Sequence, residues 1–333
     1  MSTKEMPAVE TTTGAPANAA ALAGYAPSIH NSQPWRWRVG DGVLDLFTVH
    51  SRQLAITDPD ARLAVLSCGA ALHHARTALA AEGQQVEVTR LPGPADPAWV
   101  ARIRLAGRIP VAAAAVRLVQ TIRVRRTDRR PVTGAPLSPR ELDAVLDAVR
   151  AEGARLHILR PEQVLDLAAA VSYAQRTEAA DEAWQAELAY WTGGNRPAGT
   201  GVPDTAIPGQ PPQTTVPGRD FGHPGTLPVS AAHDTGATFA ILYGEQDNRE
   251  DWLRAGEALS AAWLTATEHG ISLLPLSATV EVPATRLALR RLLSGLGEPY
   301  LVLRLGRADP DHAGPPHTPR LPAEQIIEVA DSS

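Results

Sequence analysis

Two short polar clusters in the sequence carry the residue types that could bind a small molecule. The first, residues 26–35, places Ser28, Asn31 and Gln33 behind Pro27, and a second proline follows them. Because prolines restrict the backbone, these hydroxyl and amide groups would be held in a fixed geometry that suits the edge of a planar polar heterocycle. The spacing alone slightly favours the alternative, a turn held by local hydrogen bonds between side chains and backbone. We call residues 26–35 the polar loop.

The second cluster, residues 123–130, holds five arginines and a threonine and is called the arginine segment. Several guanidinium groups can form charge-assisted hydrogen bonds to one phosphate. A solvated basic face is the usual alternative for such a run, and an arm that binds nucleic acid is a third. The net charge of −5 and the lack of interleaved aromatic residues argue against nucleic acid. A single phosphate monoester fits better, and its candidate ligands are Arg125, Arg126, Thr127 and Arg129.

The composition is typical of a globular protein, with 44% hydrophobic and 20% charged residues in a chain of 333 residues. This length suits two domains of ordinary size. No run is long and apolar enough for a membrane span, and the alanine-rich stretch after the polar N-terminus is too weakly apolar for a signal peptide. We therefore expect a cytoplasmic protein with no membrane partner.

One apolar helical run contains the single cysteine and a pair of histidines. Cys68 cannot form an intramolecular disulfide, and we expect it to be a buried, unreactive thiol. His73 and His74 are expected to lie partly on a helix surface and partly in the core, because no neighbouring side chains complete a metal-ligand spacing. The sequence therefore predicts no metal site.

Hydrophobic periodicity and turn residues predict the elements that must position the two clusters. Helices are predicted at residues 15–24, 65–79, 111–122, 139–149, 162–180 and 283–293, with an amphipathic helix through Trp252 and Trp263. Strands are predicted at residues 35–39, 43–49, 85–91, 99–105, 155–159, 238–243, 271–275 and 300–305. This succession predicts an α+β fold with helices packed on a mostly antiparallel sheet.

The order of the elements divides the chain into two comparable halves. We expect residues 1–14 to be a disordered tail, residues 15–108 a first half with the polar loop, and residues 109–333 a second half with the arginine segment. Residues 191–235, called the proline-rich segment, contain eight prolines between Pro197 and Pro228. A long stretch of this composition is usually a functional lid or a disordered insertion.

Both clusters resemble motifs of the FMN-dependent nitroreductase family. Pro27-Ser28-x-x-Asn31-x-Gln33-Pro34-Trp35 is similar to the family's loop beside the isoalloxazine ring, and Arg125-Arg126-Thr127-Asp128-Arg129 is similar to its phosphate-binding start. His317-Thr318-Pro319-Arg320 resembles the C-terminal basic element of the family. Glu268-His269-Gly270-Ile271 resembles the helix-to-strand junction whose backbone N–H faces flavin N5.

The order of these motifs resembles a fused nitroreductase dimer in which one of the two sites is kept. In ordinary members the phosphate motif precedes the loop within one chain, whereas here the loop lies in the first half and the arginines in the second. This arrangement is similar to the Acg-type subfamily, whose further marks match residues 67–73, 275–277 and 281–283. The resemblance implies a nitroreductase-like fold and a monomer that is a pseudo-dimer.

The resemblance also implies one FMN at the interface of the two halves. It assigns the phosphate to Arg125, Arg126, Thr127, Arg129 and Arg320, and the ring side to Pro27, Ser28, Asn31 and Gln33. The backbone N–H of Gly270 would face N5, next to His269, where most members carry an acidic residue. The resemblance identifies no catalytic side chain.

The function implied by this family is an oxidoreductase that carries out two-electron flavin chemistry on a small molecule. Two alternatives use the same cofactor: a flavin-sequestering protein closed by the proline-rich segment, and an oxidative tailoring enzyme of a biosynthetic pathway. A two-domain protein without a cofactor is a third alternative. No Gly-x-Gly-x-x-Gly follows a predicted strand, so the sequence predicts no Rossmann-type nicotinamide site.

Overall fold

The computed structural model of the protein describes residues 14–193, 196–307 and 315–330. The predicted tail, residues 1–14, lies outside the described residues except for Gly14. Within the three described ranges, no helix combines the length and the apolar character needed to cross a membrane.

The chain forms the helices and strands that periodicity predicts, with small shifts at their ends. Residues 14–108 form α1 (Ala15–Ala23), β1 (Trp35–Gly40), β2 (Val43–Thr48), α2 (Arg62–Ala81), β3 (Gln84–Arg90) and β4 (Trp99–Arg108). Residues 109–193 form α3 (Ala113–Val124), α4 (Pro139–Ala151), β5 (Arg155–Ile158), α5 (Pro161–Ala179) and α6 (Glu182–Thr192). The remainder forms β6 (Thr238–Gly244), α7 (Arg249–Glu268), β7 (Ile271–Leu276), α8 (Ala278–Glu281), α9 (Pro283–Leu292), β8 (Glu298–Arg307) and β9 (Ile327–Val329).

The strands form two sheets with helices packed against them, which makes the fold α+β. One sheet has the strand order β3-β4-β2-β1-β9 and the other the order β5-β6-β8-β7. Neighbouring strands are antiparallel except β1 and β9, whose parallel pairing places Trp37 opposite Ile327. The C-terminal strand therefore completes the sheet of residues 35–108, and it draws the residues before it toward the polar loop.

Helices α6 and α8 and strand β9 have no counterpart among the predicted elements, and α3 differs from the prediction in its burial. Helix α6 has no predicted counterpart, although Asp181 caps it by accepting hydrogen bonds from the N–H groups of Ala183 and Trp184. The predicted helix near residues 111–122 is present as α3, but it buries only Thr121 and Ile122. Its apolar composition therefore does not mark a core helix.

Helix α2 packs against α7, α1 and the first sheet, and most of its residues are buried. Cys68 is fully buried, and burial raises the pKa of its thiol to about 12, which confirms the expected inert thiol. His73 and His74 are both buried, and a ring nitrogen of each lies 2.8 Å from the Ser260 hydroxyl. The expectation that part of this pair faces solvent is wrong, because α2 has almost no exposed face.

The crossing of α2 and α7 depends on two glycines that bring the helix backbones into contact. A Cβ atom at Gly69 would overlap the carbonyl oxygen of Leu253, and one at Gly256 would overlap the carbonyl oxygen of Leu66. Both positions lie in regular helix, so they require glycine for close approach and not for an unusual φ angle. This contact sets the distance between the two helices that support the polar loop and the cavity described below.

Replacing Gly256 by alanine is expected to destabilise the fold by about 1–3 kcal/mol, because the added methyl group must push α2 and α7 apart. Urea denaturation followed by circular dichroism measures the free energy of unfolding. Gly218→Ala is the matched control, since a Cβ there meets nothing within 4 Å. Equal stability of the two variants would contradict this account of the crossing.

Candidate functional site

A cavity of about 630 Å3 brings the two polar clusters together. The polar loop, the arginine segment, the proline-rich segment and the C-terminal residues Thr318 and Arg320 all contribute to its wall. The predicted site residues that line it are Pro27, Ser28, Asn31, Arg125, Thr127, Arg129 and Arg320. The fold thus joins segments that lie far apart in the sequence.

The polar loop holds an unusual backbone conformation. His30, Asn31 and Gln33 have φ angles of 44°, 55° and 49°, in the left-handed region that residues other than glycine rarely adopt. The Ser28 hydroxyl accepts a hydrogen bond from the Gln33 N–H at 3.0 Å. The loop therefore contains the local side-chain-to-backbone hydrogen bond expected of a simple turn, and it also faces the cavity.

The Asn31 side chain joins the polar loop to two distant segments. Its Nδ2 donates to the carbonyl oxygens of Gly201 and Pro319, at 3.0 and 2.9 Å, and its Oδ1 accepts from Arg320 Nη1 at 2.9 Å. Both amide hydrogens are therefore engaged within the protein. In this structure Asn31 fixes the arrangement of the loop, the proline-rich segment and Arg320.

The Gln33 side chain plays a similar part and is fully buried. Its Nε2 donates to the carbonyl oxygen of Gly199 at 2.7 Å, and its Oε1 accepts from the Leu321 N–H at 2.9 Å. Gln33 does not line the cavity. Its amide thus supports the loop from behind, at a distance from any ligand in the cavity.

Arg125 and Arg320 place two positive charges side by side. Nη2 of each donates to the carbonyl oxygen of Tyr25, at 3.2 and 3.3 Å. Arg125 is 4% exposed, and its guanidinium carbon lies 4.5 Å from the centre of the Trp263 ring. Burial, and to a smaller extent Arg320, lowers the pKa of Arg125 to about 9, while burial lowers the pKa of Arg320 to about 10. Both groups therefore stay charged at neutral pH.

This pair differs from Arg62, Arg219 and Arg304, three further arginines with little side-chain exposure, each of which is neutralised by carboxylates. Those ion pairs are Arg62 with Asp247, Arg219 with Glu178 and Glu281, and Arg304 with Asp234. Among the described residues no carboxylate lies within 4.0 Å of Arg125 or Arg320, and the Nε atom of each is buried without a hydrogen-bond partner. A desolvated charge without a partner costs several kcal/mol. This part of the cavity is therefore suited to an anion that the described chain does not supply.

Arg129 lies in a different part of the cavity wall, against the proline-rich segment. Its Nη1 donates to the carbonyl oxygen of Ala206 at 2.9 Å, and its guanidinium carbon lies 5.2 Å from the Phe221 ring centre. Burial and the charge of Arg219 lower the pKa of Arg129 to about 10. The structure thus separates Arg129 from the pair formed by Arg125 and Arg320.

Three further predicted site residues lie outside the cavity wall. Arg126 donates from Nε to His317 Nε2 at 3.3 Å. His269 and Gly270 are exposed where α7 ends, and the Gly270 N–H donates to the Thr267 carbonyl oxygen at 3.1 Å. The turn that ends α7 engages this N–H, so its expected position facing flavin N5 stays a prediction.

The described part of the proline-rich segment covers one side of the cavity and has a small core of its own. That core consists of Leu188, Val202, Ala206, Ile207 and Phe221. Arg219 lines the cavity and forms ion pairs with Glu281 at 2.6 Å and with Glu178 at 3.1 Å. The segment is therefore held to α5 and α8 by buried charges in addition to apolar contacts.

Two buried carboxyl groups near these contacts have pKa values close to neutrality. Burial raises the pKa of Glu178 to about 7, against the opposing effect of Arg219 and with a further increase from Glu281. Burial likewise raises the pKa of Asp58 to about 7, although its oxygens accept hydrogen bonds from the N–H groups of Leu63 and Ala64. Of these two groups, Glu178 is the one that contacts the proline-rich segment, through its ion pair with Arg219.

Sequence reasoning missed several residues of the cavity wall. His30 lies inside the polar loop but was not among the predicted ligands. Arg219 also lines the cavity. The sequence alone could have indicated this residue, because it is the only arginine or lysine between residues 197 and 248. Residues 275–279, at the end of β7 and in α8, also line the cavity. Residues 275–277 of this stretch match a motif of the Acg-type subfamily, but the resemblance assigns no function to that motif.

Solved structures with distant similarity to this chain include two nitroreductases. The FMN- and NADPH-dependent nitroreductase NfnB from Sphigopyxis sp. strain HMH is 16% identical, with a TM-score of 0.40 over 63% of this chain and 97% of that one. A nitroreductase with bound FMN from Bacteroides fragilis NCTC 9343 is also 16% identical, with a TM-score of 0.32 over 59% and 90%. Similarity at this level supports no conclusion about function.

Curated sequences show a much closer relationship, although no protein-family model matches the chain. A Mycobacterium tuberculosis H37Rv protein named "Putative NAD(P)H nitroreductase Rv3131" is 41% identical over 312 residues, which cover 92% of this chain and 89% of the relative. "Putative NAD(P)H nitroreductase acg" of the same strain is 33% identical over 332 residues, covering 97% and 98%. Because these identities extend over nearly the whole chain, it belongs to the Acg-type nitroreductase family.

Proposed function

We propose that the chain binds one FMN in this cavity and acts as an FMN-dependent oxidoreductase of the NAD(P)H nitroreductase type. The observation that carries this proposal is the pair of adjacent guanidinium groups of Arg125, which is buried, and Arg320, which is partly exposed; neither has a carboxylate partner among the described residues. A phosphate monoester matches this pair in charge and in hydrogen-bonding geometry. Thr127 lines the cavity as well and can add a hydroxyl donor.

The size and the construction of the cavity agree with this assignment. A volume of about 630 Å3 lies within the usual range for cofactor sites. The polar loop and the arginine segment lie on opposite sides of residue 108, so one chain supplies both walls. We therefore favour one FMN per chain, two halves that act as a pseudo-dimer, and a monomeric protein.

When bound, FMN supplies two-electron transfer, and the protein supplies binding, orientation and exclusion of water. Trp263 and Leu259 of α7 give the cavity an apolar wall. Ala278 and Thr279 of α8 also line the cavity. The proline-rich segment covers the cavity as a lid that keeps water from it.

The names of the relatives suggest NAD(P)H as the electron donor. The chain has no Rossmann-type motif, so we propose that donor and acceptor enter the same cavity, one after the other. The ion pairs of Arg219 with Glu178 and Glu281 favour a second candidate function, in which the covering segment stays closed and the protein sequesters flavin.

Titration of flavin-free protein with FMN and with riboflavin tests the proposal. We expect FMN to bind at least about 100-fold more tightly, because riboflavin lacks the phosphate that two charged hydrogen-bonding groups would contact. Equal affinities would contradict the phosphate assignment. Anaerobic addition of NADH or NADPH then decides the function: bleaching of the bound flavin supports an oxidoreductase, and its persistence under both donors supports sequestration.

A further inference from the structure

His30 is a polar residue of the cavity wall that neither the family resemblance nor the phosphate assignment uses. It is 9% exposed and lies between Ile29 and Asn31 in the polar loop. Its backbone has a φ of 44° and a ψ of 26°, although it is neither glycine nor asparagine. Strain of this kind persists only where the surroundings hold it, and it is concentrated at functional sites.

The surroundings of His30 explain how this conformation is held. The next residue, Asn31, is tied to the proline-rich segment and to Arg320 by its side-chain amide. Two residues further, Gln33 is tied to Gly199 and to the C-terminal segment. These bonds fix the loop on both faces, so the direction of the His30 side chain is set by the fold and does not depend on contacts of the ring itself.

The His30 ring forms no hydrogen bond with any described residue, although it is nine-tenths buried. Its ring nitrogens are not among the fully buried atoms without a partner, so they keep accessible surface and can meet a ligand or water. Burial, together with the charges of Arg219 and Arg129, keeps the pKa of His30 well below its ordinary value. The imidazole is therefore neutral at physiological pH, with one N–H donor and one acceptor nitrogen available to the cavity.

The two cations near His30 indicate which ligand chemistry this part of the wall favours. Arg129 and Arg219 line the same cavity, and the charges of both lower the pKa of His30. Arg219 is paired with Glu178 and Glu281, whereas Arg129 has no carboxylate partner among the described residues. A carbonyl, quinone or nitro oxygen gains negative charge as its molecule accepts two electrons. A neutral N–H donor beside the positive charge of Arg129 stabilises such an oxygen.

We propose that His30 is a catalytic residue that donates a hydrogen bond to the oxygen of an electron-accepting carbonyl, quinone or nitro compound in this cavity. This role rests on the proposed oxidoreductase function, since the two electrons come from the bound flavin. The imidazole stays neutral while it donates, so it aligns the acceptor and stabilises the charge that develops on the acceptor oxygen.

Three histidine variants of the FMN-loaded protein test this role with nitrobenzene and 1,4-naphthoquinone as acceptors. His30→Ala should lower kcat/KM about 10- to 100-fold, as expected for the loss of one hydrogen bond to a charged oxygen. His30→Asn keeps a donor and tolerates a positive φ, so it should recover most of that loss. His50→Ala, at an exposed histidine outside the cavity wall, should leave kcat/KM unchanged. The dissociation constant of FMN should stay within about threefold in each variant.

The result that overturns the proposal is a His30→Ala variant with unchanged kcat/KM, or one whose FMN affinity falls as much as its kcat/KM. A second readout applies if the wild-type protein reduces neither acceptor. Addition of nitrobenzene should then shift the His30 ring resonances in the NMR spectrum of the FMN-loaded protein, and unmoved resonances would refute the contact. Failure of the wild-type protein to bind FMN would instead refute the proposed function.

Discussion

Replacing Arg125 by alanine is expected to weaken FMN binding about 100-fold or more. The Arg125 guanidinium is 4% exposed, lies beside Arg320, and has no carboxylate within 4.0 Å among the described residues. A phosphate would form charge-assisted hydrogen bonds to it, each worth about 1.5–3 kcal/mol. Because alanine removes the donor and the charge together, the loss should fall mainly on FMN and little on riboflavin. Equilibrium titration with both flavins measures the two affinities.

Arg123 offers a matched control for this experiment. It lies two residues earlier in the same arginine segment, is exposed, and stacks on the Tyr25 ring with its guanidinium carbon 5.2 Å from the ring centre. Arg123→Ala should therefore change FMN affinity less than about threefold, as is usual for an exposed charge far from a bound ligand. Equal losses in the two variants would mean that the arginine segment attracts the anion by its overall charge and has no defined phosphate site.

Replacing Arg219 by alanine should destabilise the protein by about 3–5 kcal/mol, because it leaves two buried carboxylates without their cation. Glu178 and Glu281 have side-chain exposures of 4% and 0%. We expect faster proteolysis within the proline-rich segment as well as a lower free energy of unfolding. Arg219→Lys should be less damaging, since it keeps the charge. The control is Arg176→Ala, which removes an exposed arginine from α5, the helix that carries Glu178. It should have almost no effect on the free energy of unfolding or on proteolysis.

The same site predicts the direction of a pH effect. The pKa of Glu178 rises from 4.5 to about 7 on folding, so the folded protein holds its proton more tightly than the unfolded chain does. Its contribution to stability is therefore complete below about pH 4.5 and is lost as the pH rises through 7. Glu178→Gln removes this titration, and its melting temperature should fall less than that of the wild type between pH 5.5 and 8. A larger fall in the variant would contradict the raised pKa.

The sequence is most informative where one local rule decides the structure. Alternation around Gly40-Asp41-Gly42 predicts β1 and β2, and the Ser138-Pro139-x-Glu141 signal predicts the start of α4, where the capping box is present. The buried state of Cys68 follows from its place in an apolar helical run. The succession of predicted elements gives the α+β class, and family resemblance adds the cofactor, because ordered motifs carry information that periodicity lacks.

Tertiary contacts decide the features that the sequence leaves open. Asn31 and Gln33 have the right residue types for a ring edge, yet their amides are engaged by carbonyl groups more than 160 residues away in sequence. Gly270 follows the end of α7 with a φ of 67°. This left-handed conformation is a sufficient reason for glycine at this position, and no ligand contact is needed to explain it. Spacing within the arginine segment also cannot show that Arg129 turns toward the proline-rich segment while Arg125 pairs with Arg320. The different surroundings of Arg125 and Arg129 are set by the packing of segments that are distant in the sequence.

The most direct test of the central claim is to denature the purified protein after incubation with FMN and removal of the excess, and to measure the flavin released per chain. The account predicts about one FMN per chain, identified as the monophosphate by chromatography. About two per chain would contradict the single site built from both halves. No released flavin would contradict the proposed function itself and leave the Arg125–Arg320 pair without its anion.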